Sequence, residues 1–191
     1  DSANYVVLQT YDKLLSHKSN QRWRVEHAQV LDPEDYEFFD GDNILASVQP
    51  THATSDMYWA DERLGEERLK NAYAYKKLLE ENGWLPNGSD FPVEDINPLY
   101  GFYAAFARKD LEGKPENGFQ TENALSRKGA LKAITIWAAK ACFEEKERGS
   151  IEKGKEADFV VTDKDIMNAK ESKVPDIEVQ ETYINGKPVT N

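Results

Sequence analysis

Apolar residues recur at helical spacing over residues 4–17, where Val6, Val7, Leu8, Tyr11, Leu14 and Leu15 predict a first helix. The pattern then shortens. Residues 23–28 predict a strand, and residues 44–48 predict a second one that runs into Gln49-Pro50-Thr51-His52. Between them Asp32-Pro33 predicts a helix start, with a capping carboxylate and a proline in the first turn, and Gly41 a stop. Residues 53–65 predict a long loop, residues 66–82 one helix ended by Gly83, and residues 84–88 a third strand. Residues 98–108 form an aromatic helical pattern and residues 109–122 a polar loop. Ser126 is placed to cap a helix running through Leu131, Ile134, Trp137, Ala138 and Ala141.

At Gly149 the character changes. Residues 151–155 form a turn-rich link, residues 157–161 a β-run, and residues 179–189 a hairpin turning on Asn185-Gly186. The order is a series of β/α units followed by β only, which predicts an α/β fold with a partial barrel over residues 1–148 and a small β element over residues 149–191. A full barrel of eight strands takes about 250 residues, so three predicted strands imply the C-terminal part of a larger barrel.

Composition narrows the partners. The chain has 191 residues, 39% hydrophobic and 31% charged, with 24 basic against 35 acidic residues and a formal charge of −11. That acidity disfavours nucleic acid as a partner. Cys142 is the only cysteine, which rules out an intrachain disulfide and a cysteine-built zinc cage. No apolar run approaches the roughly 20 residues that span a bilayer.

Chemistry gathers where strands end. His27 closes the first predicted strand, and a neutral imidazole there suits a zinc ligand or an ordinary hydrogen-bonded cleft position. Asp90 follows Gly88-Ser89 and precedes Pro92; it suits a metal-held water and its proton, or a helix cap. His52 suits polarisation of a substrate carbonyl or a solvent-exposed loop position, and Trp59 and Arg63 suit a substrate pocket or loop packing. No serine sits in a triad pattern and no phosphate-cradling glycine loop occurs.

Three runs together resemble the metal-dependent amidohydrolases, most closely amidohydrolase family 3 with its N-substituted formamide deformylase-like enzymes. They are Arg24-Val25-Glu26-His27-Ala28-Gln29, then Ala46-Ser47-Val48-Gln49-Pro50 with His52, then Gly88-Ser89-Asp90-Phe91-Pro92-Val93. Asp56, Trp59, Arg63-Leu64-Gly65, Arg68 and the tail segments 149–161 and 182–186 extend the resemblance over nearly the whole chain.

The resemblance implies strands 6–8 of a TIM barrel and the C-terminal strands of a small β-sandwich. It makes His27 a metal ligand, Asp90 both metal ligand and proton shuttle, and His52, Trp59 and Arg63 substrate-binding residues. It implies zinc or another divalent ion in the full-length protein, with the fragment alone a poor metal binder, and hydrolysis of the C–N bond of a small-molecule amide. The family's paired first-strand histidines and its fourth- and fifth-strand ligands have no counterpart here. The expectation is therefore an inactive C-terminal fragment holding two ligands, which associates with a copy of itself or with the missing N-terminal part. The alternative is a non-catalytic binding or regulatory protein on a half-barrel scaffold.

Overall fold

The computed structural model describes residues 1–15 and 17–189. Two short strands, β1 (Trp23–Glu26) and β2 (Ile44–Ser47), pair in parallel, with Trp23 beside Ile44 and Glu26 beside Ser47. Alternation along the strands divides their side chains. Val25, Ile44, Ala46 and Val48 join the main core, while Leu45 turns the other way onto Trp84 and Ala141.

The expected third strand over residues 84–88 is not formed as such. It is reduced to one parallel bridge between Val48 and Asn87, in which Val48 N–H donates to the Pro86 carbonyl at 3.1 Å and Gly88 N–H to the Val48 carbonyl at 3.0 Å. Pro86 has no N–H, and Asn87 N–H goes to the Ala133 carbonyl at 3.0 Å. The ladder therefore has no means of extending.

Helix α1 (Ser2–Leu15) packs against β1 and β2, and residues Pro33–Phe39 form a 3-10 turn. Asp32 precedes that turn but its side chain makes no capping bond. The expected loop over residues 53–65 is instead largely helical, in α2 (Pro50–Asp56) and the start of α3 (Ala60–Leu69), which kinks at Gly65. The single helix expected over residues 66–82 is broken, and its second half is α4 (Tyr75–Asn82), ended by Gly83 at φ +77. In the gap Ala72 bridges to Val30, Tyr73 N–H donates to the Gln29 carbonyl at 2.8 Å, and the Tyr73 ring is buried. Tertiary pairing and burial of that ring override local helix propensity.

Helix α5 (Pro98–Ala107) starts under an Asn97 cap and is almost wholly buried. At its end Arg108, fully enclosed, donates to the carbonyls of Phe119 and Tyr73 and to Gln120 Oε1, tying the polar loop down. Ser126 caps as expected, accepting from Gly129 N–H at 3.0 Å. Its helix, however, splits into α6 (Arg127–Ala133) and α7 (Ile136–Ala141), at the point where the Ala133 carbonyl serves Asn87.

The tail forms an antiparallel sheet of β3 (Phe159–Thr162), β4 (Val179–Ile184) and β5 (Lys187–Pro188). Asn185 and Gly186 take φ +51 and +71 at the hairpin turn. The segment between β3 and β4 is anchored to the larger unit. Val174 and Ile177 sink into the main core, and Arg127 donates to the carbonyls of Ile166, Met167 and Ala169. Gly149 at φ +88 lies so close to α7 that an added Cβ would come within 2.7 Å of Ala139 Cβ.

Candidate metal centre

Three chain segments end at one place. His27 follows β1, and its N–H donates to the Ser47 carbonyl at 2.8 Å, extending the ladder by one residue. The backbone then turns left-handed, with His27 at φ +69 and Ala28 at +42. Asp90, just past the Val48–Asn87 bridge, is also left-handed at φ +59. Such conformations cost a non-glycine residue roughly 1–2 kcal/mol and gather at functional sites.

His52 lies in the first turn of α2, not in a loop as the sequence suggested. Pro50 starts that helix, and His52 is 9% exposed.

Ligand atoms of His27, His52 and Asp90 all lie within 4.8 Å of one another. His52 Nε2 is 3.6 Å from Asp90 Oδ2, too long for a hydrogen bond. The two imidazoles stack at 5.6 Å with 25° between their planes. His52 Nε2 is buried and has no hydrogen-bond partner among the described residues. An enclosed ring nitrogen left unmatched is costly, and here it faces a carboxylate and a second imidazole.

Gln49 sets the orientation of the exposed histidine. Its Oε1 lies 2.9 Å from His27 Nδ1, and its Nε2 turns to the Ser47 carbonyl at 3.5 Å. An amide oxygen can only accept, so Nδ1 carries the proton and Nε2 keeps its lone pair. Gln49 is itself buried, and its carbonyl accepts from the enclosed Tyr75 hydroxyl at 3.1 Å. A cavity of about 370 Å³, lined by Arg24, Glu26, His27, Gln49, Asp90 and Cys142 among others, opens beside the cluster. Two imidazoles and a carboxylate are the donor set that zinc takes in catalytic sites, with a further position left open. The unmatched Nε2 and the oriented His27 suit that ion.

The other sequence candidates fall elsewhere. Trp59 and Arg63 are exposed at the start of α3, and neither lines this cavity. Asp56 lies one turn beyond His52 and accepts from Gln29 Nε2 and the Tyr73 hydroxyl, both at 2.9 Å. Burial and that bond to Asp56 raise the Tyr73 pKa, so the phenol remains a donor. The sequence pointed to His27 and Asp90 as ligands and placed His52 on the substrate side. The helix start at Pro50, which turns residue 52 inward, was the signal for its place in the cluster. Nothing in the local pattern marked Gln49.

The sequence profile of the amidohydrolase family matches residues 1–190. Protein LONG AFTER FAR-RED 3 of Arabidopsis thaliana is 37% identical over 190 residues, 98% of this chain and 32% of that protein. The putative amidohydrolase YtcJ of Bacillus subtilis is 34% identical over 172 residues, 90% of this chain and 32% of YtcJ. The N-substituted formamide deformylase of Arthrobacter pascens is 29% identical over 121 residues, 63% of this chain and 22% of the enzyme. Among solved structures, an uncharacterised metal-dependent hydrolase of Pyrococcus horikoshii superimposes with a TM-score of 0.76 at 30% identity, covering 90% of this chain and 34% of that one. A zinc-bound adenosine deaminase of Xanthomonas campestris superimposes at 0.60 with 17% identity, covering 94% and 42%, a likeness of fold alone. The chain spans about a third of the length of the curated relatives that match it over nearly all of its length.

Proposed function

We propose that this chain, which belongs to the amidohydrolase family, carries the strand-6-to-8 side of a divalent-metal site that hydrolyses the C–N bond of a small-molecule amide in the whole protein. The observation that carries this reading is the convergence of His27, His52 and Asp90 within 4.8 Å around a buried, unmatched His52 Nε2. His27 and His52 would hold the ion through ring nitrogens and Asp90 through a carboxylate oxygen. A bound divalent cation supplies Lewis acidity, polarising a carbonyl and acidifying water.

The chain's own residues do the rest. Gln49 engages the Nδ1 side of the His27 ring and leaves Nε2 as the nitrogen available to an ion. Asp90, more than a third exposed along its side chain, reaches solvent and substrate. Its carboxylate takes a proton from the attacking water and hands it to the leaving nitrogen. Trp59 and Arg63, exposed at the start of α3, are available to a substrate arriving over that rim.

The Arthrobacter relative's name directs the assay towards N-substituted formamides. The full-length protein containing this chain, loaded with zinc, should release amine from an N-substituted formamide. Asp90→Asn should lower kcat by about 100-fold or more; unchanged turnover in that variant would exclude Asp90 as the proton carrier. The 191-residue chain alone should turn over nothing, because the family's paired first-strand histidines and its fourth- and fifth-strand ligands have no counterpart in it. Hydrolysis by the purified chain that disappears in His27→Ala would contradict this. Among the described residues β1 is paired on one side only. That open edge is the place for further strands or a second copy, to be read as concentration-dependent mass in light scattering. A concentration-independent monomer mass would count against a second copy there.

A further inference from the structure

We propose that the cleft between α2 and α5 is a second binding site, for a small protonated primary amine, distinct from the His27–His52–Asp90 cluster. Helix α2 presents His52 to the metal centre, and Thr51, Thr54 and Ser55 to a separate cavity of about 160 Å³. The far wall of that cavity includes Glu94, Tyr103, Lys109 and Asp110. At about 30 Å³ per water, the space holds roughly five waters or an organic cation of a few heavy atoms. It is well below the ~300 Å³ of ordinary substrate pockets.

Two polar groups there lack a partner among the described residues. Thr51 Oγ1 is wholly enclosed and makes no hydrogen bond. Tyr103 is 2% exposed, lines the cavity, and its hydroxyl makes none either. Burial, with the carboxylates of Glu171 and Asp110 nearby, raises the Tyr103 pKa, so the group is a neutral phenol.

The charge around these hydroxyls is negative. Glu94 Oε1 accepts from Ser55 Oγ at 2.6 Å, and no partner is assigned to its second oxygen. Burial acts to raise the Asp110 pKa, but bonds from the Tyr58 hydroxyl and from the amides of Lys114 and Glu112 outweigh it, leaving the pKa lowered and the carboxylate ionised. The cation on the wall, Lys109, is already held by Glu171 at 2.7 Å. The pocket thus offers a carboxylate oxygen and two hydroxyl oxygens to an incoming charge. A primary ammonium brings three N–H donors and no acceptor, which matches that inventory. A divalent metal would require about six hard oxygen ligands, drawn from carboxylates, carbonyls and water rather than phenols.

The test titrates the 191-residue chain, labelled with ¹³C in its tyrosine rings, with methylammonium chloride. Sodium chloride and tetramethylammonium chloride, which lack N–H donors, serve at matched ionic strength. The Tyr103 resonance, assigned by its loss in Tyr103→Phe, should shift saturably with methylammonium alone. Glu94→Gln should weaken binding about tenfold and the near-isosteric Thr51→Val about threefold. Equal or non-saturating shifts with all three salts would mean that only water fills the cleft, and would overturn the proposal. Affinity unchanged in Thr51→Val, a variant that preserves shape if Glu94→Gln fails to fold, would overturn it as well. A saturable shift abolished by His52→Ala would place the amine in the metal cluster and overturn this site while leaving that cluster in place.

Discussion

The two ends of β1 carry polar clusters of opposite kind. At the N-terminal end Arg22, with a side chain only 6% exposed, forks onto Glu145 at 2.8 and 3.0 Å, donates to the Lys140 carbonyl and Asn20, and covers the Phe143 ring. Beside it Asp42 accepts from Trp84 Nε1 at 2.9 Å and Lys140 Nζ at 2.8 Å. At the C-terminal end, five residues along, His27 and His52 stack near Asp90 with a buried nitrogen unmatched. One cluster is saturated by its own chain and the other is left open. In parallel α/β folds stability collects at the N-terminal ends of strands and chemistry at the C-terminal ends. Here the bonding state of the side chains tells the same story without appeal to fold.

That contrast can be broken at either end. Arg22→Leu should cost roughly 2–3 kcal/mol in urea denaturation, below the 3–5 of a fully buried pair because Glu145 is partly exposed. It should leave metal affinity alone; a cost under about 1 kcal/mol would mean that this end does not anchor the strand. Gln49→Leu should lower divalent-cation affinity about 10–100-fold with little loss of stability. Calorimetric titration giving the parent affinity would remove Gln49 from the site.

The smallest effect is electrostatic. The hydrogen bond from Arg22 holds the Glu145 pKa at about 2, below its ordinary 4.5. A lowered carboxylate pKa stabilises the fold above the ordinary value and loses that contribution as pH falls through the folded one. Melting temperature should therefore drop between about pH 4.5 and about 2. Glu145→Gln should flatten that limb, and an unaltered limb would assign the acid sensitivity to other carboxylates.

Local signals in the sequence were read correctly where they decided structure alone. The strand around Val25, the Gly83 stop, the Ser126 cap and the Asn185-Gly186 turn all appear in the fold. Three of the failures share one cause, pairing at a distance. Residues 70–74 carry no glycine or proline, yet Tyr73 is drawn out of the helix by Gln29 and by its own burial. The third strand and the long helix after Ser126 fail together, because Asn87 and Ala133 bond to each other. The site was half legible. Strand-end placement marked His27 and Asp90, but His52 joins them only through the direction that α2 takes after Pro50.

The central claim is that His27, His52 and Asp90 form one coordination site. Titrating the metal-free chain with Co²⁺ and reading its visible absorption tests it most directly. The account predicts a saturable band of a four- or five-coordinate nitrogen and oxygen site, lost alike in His27→Ala, His52→Ala and Asp90→Ala. A spectrum that stays that of the hydrated ion, or a band that survives His52→Ala unchanged, would contradict it.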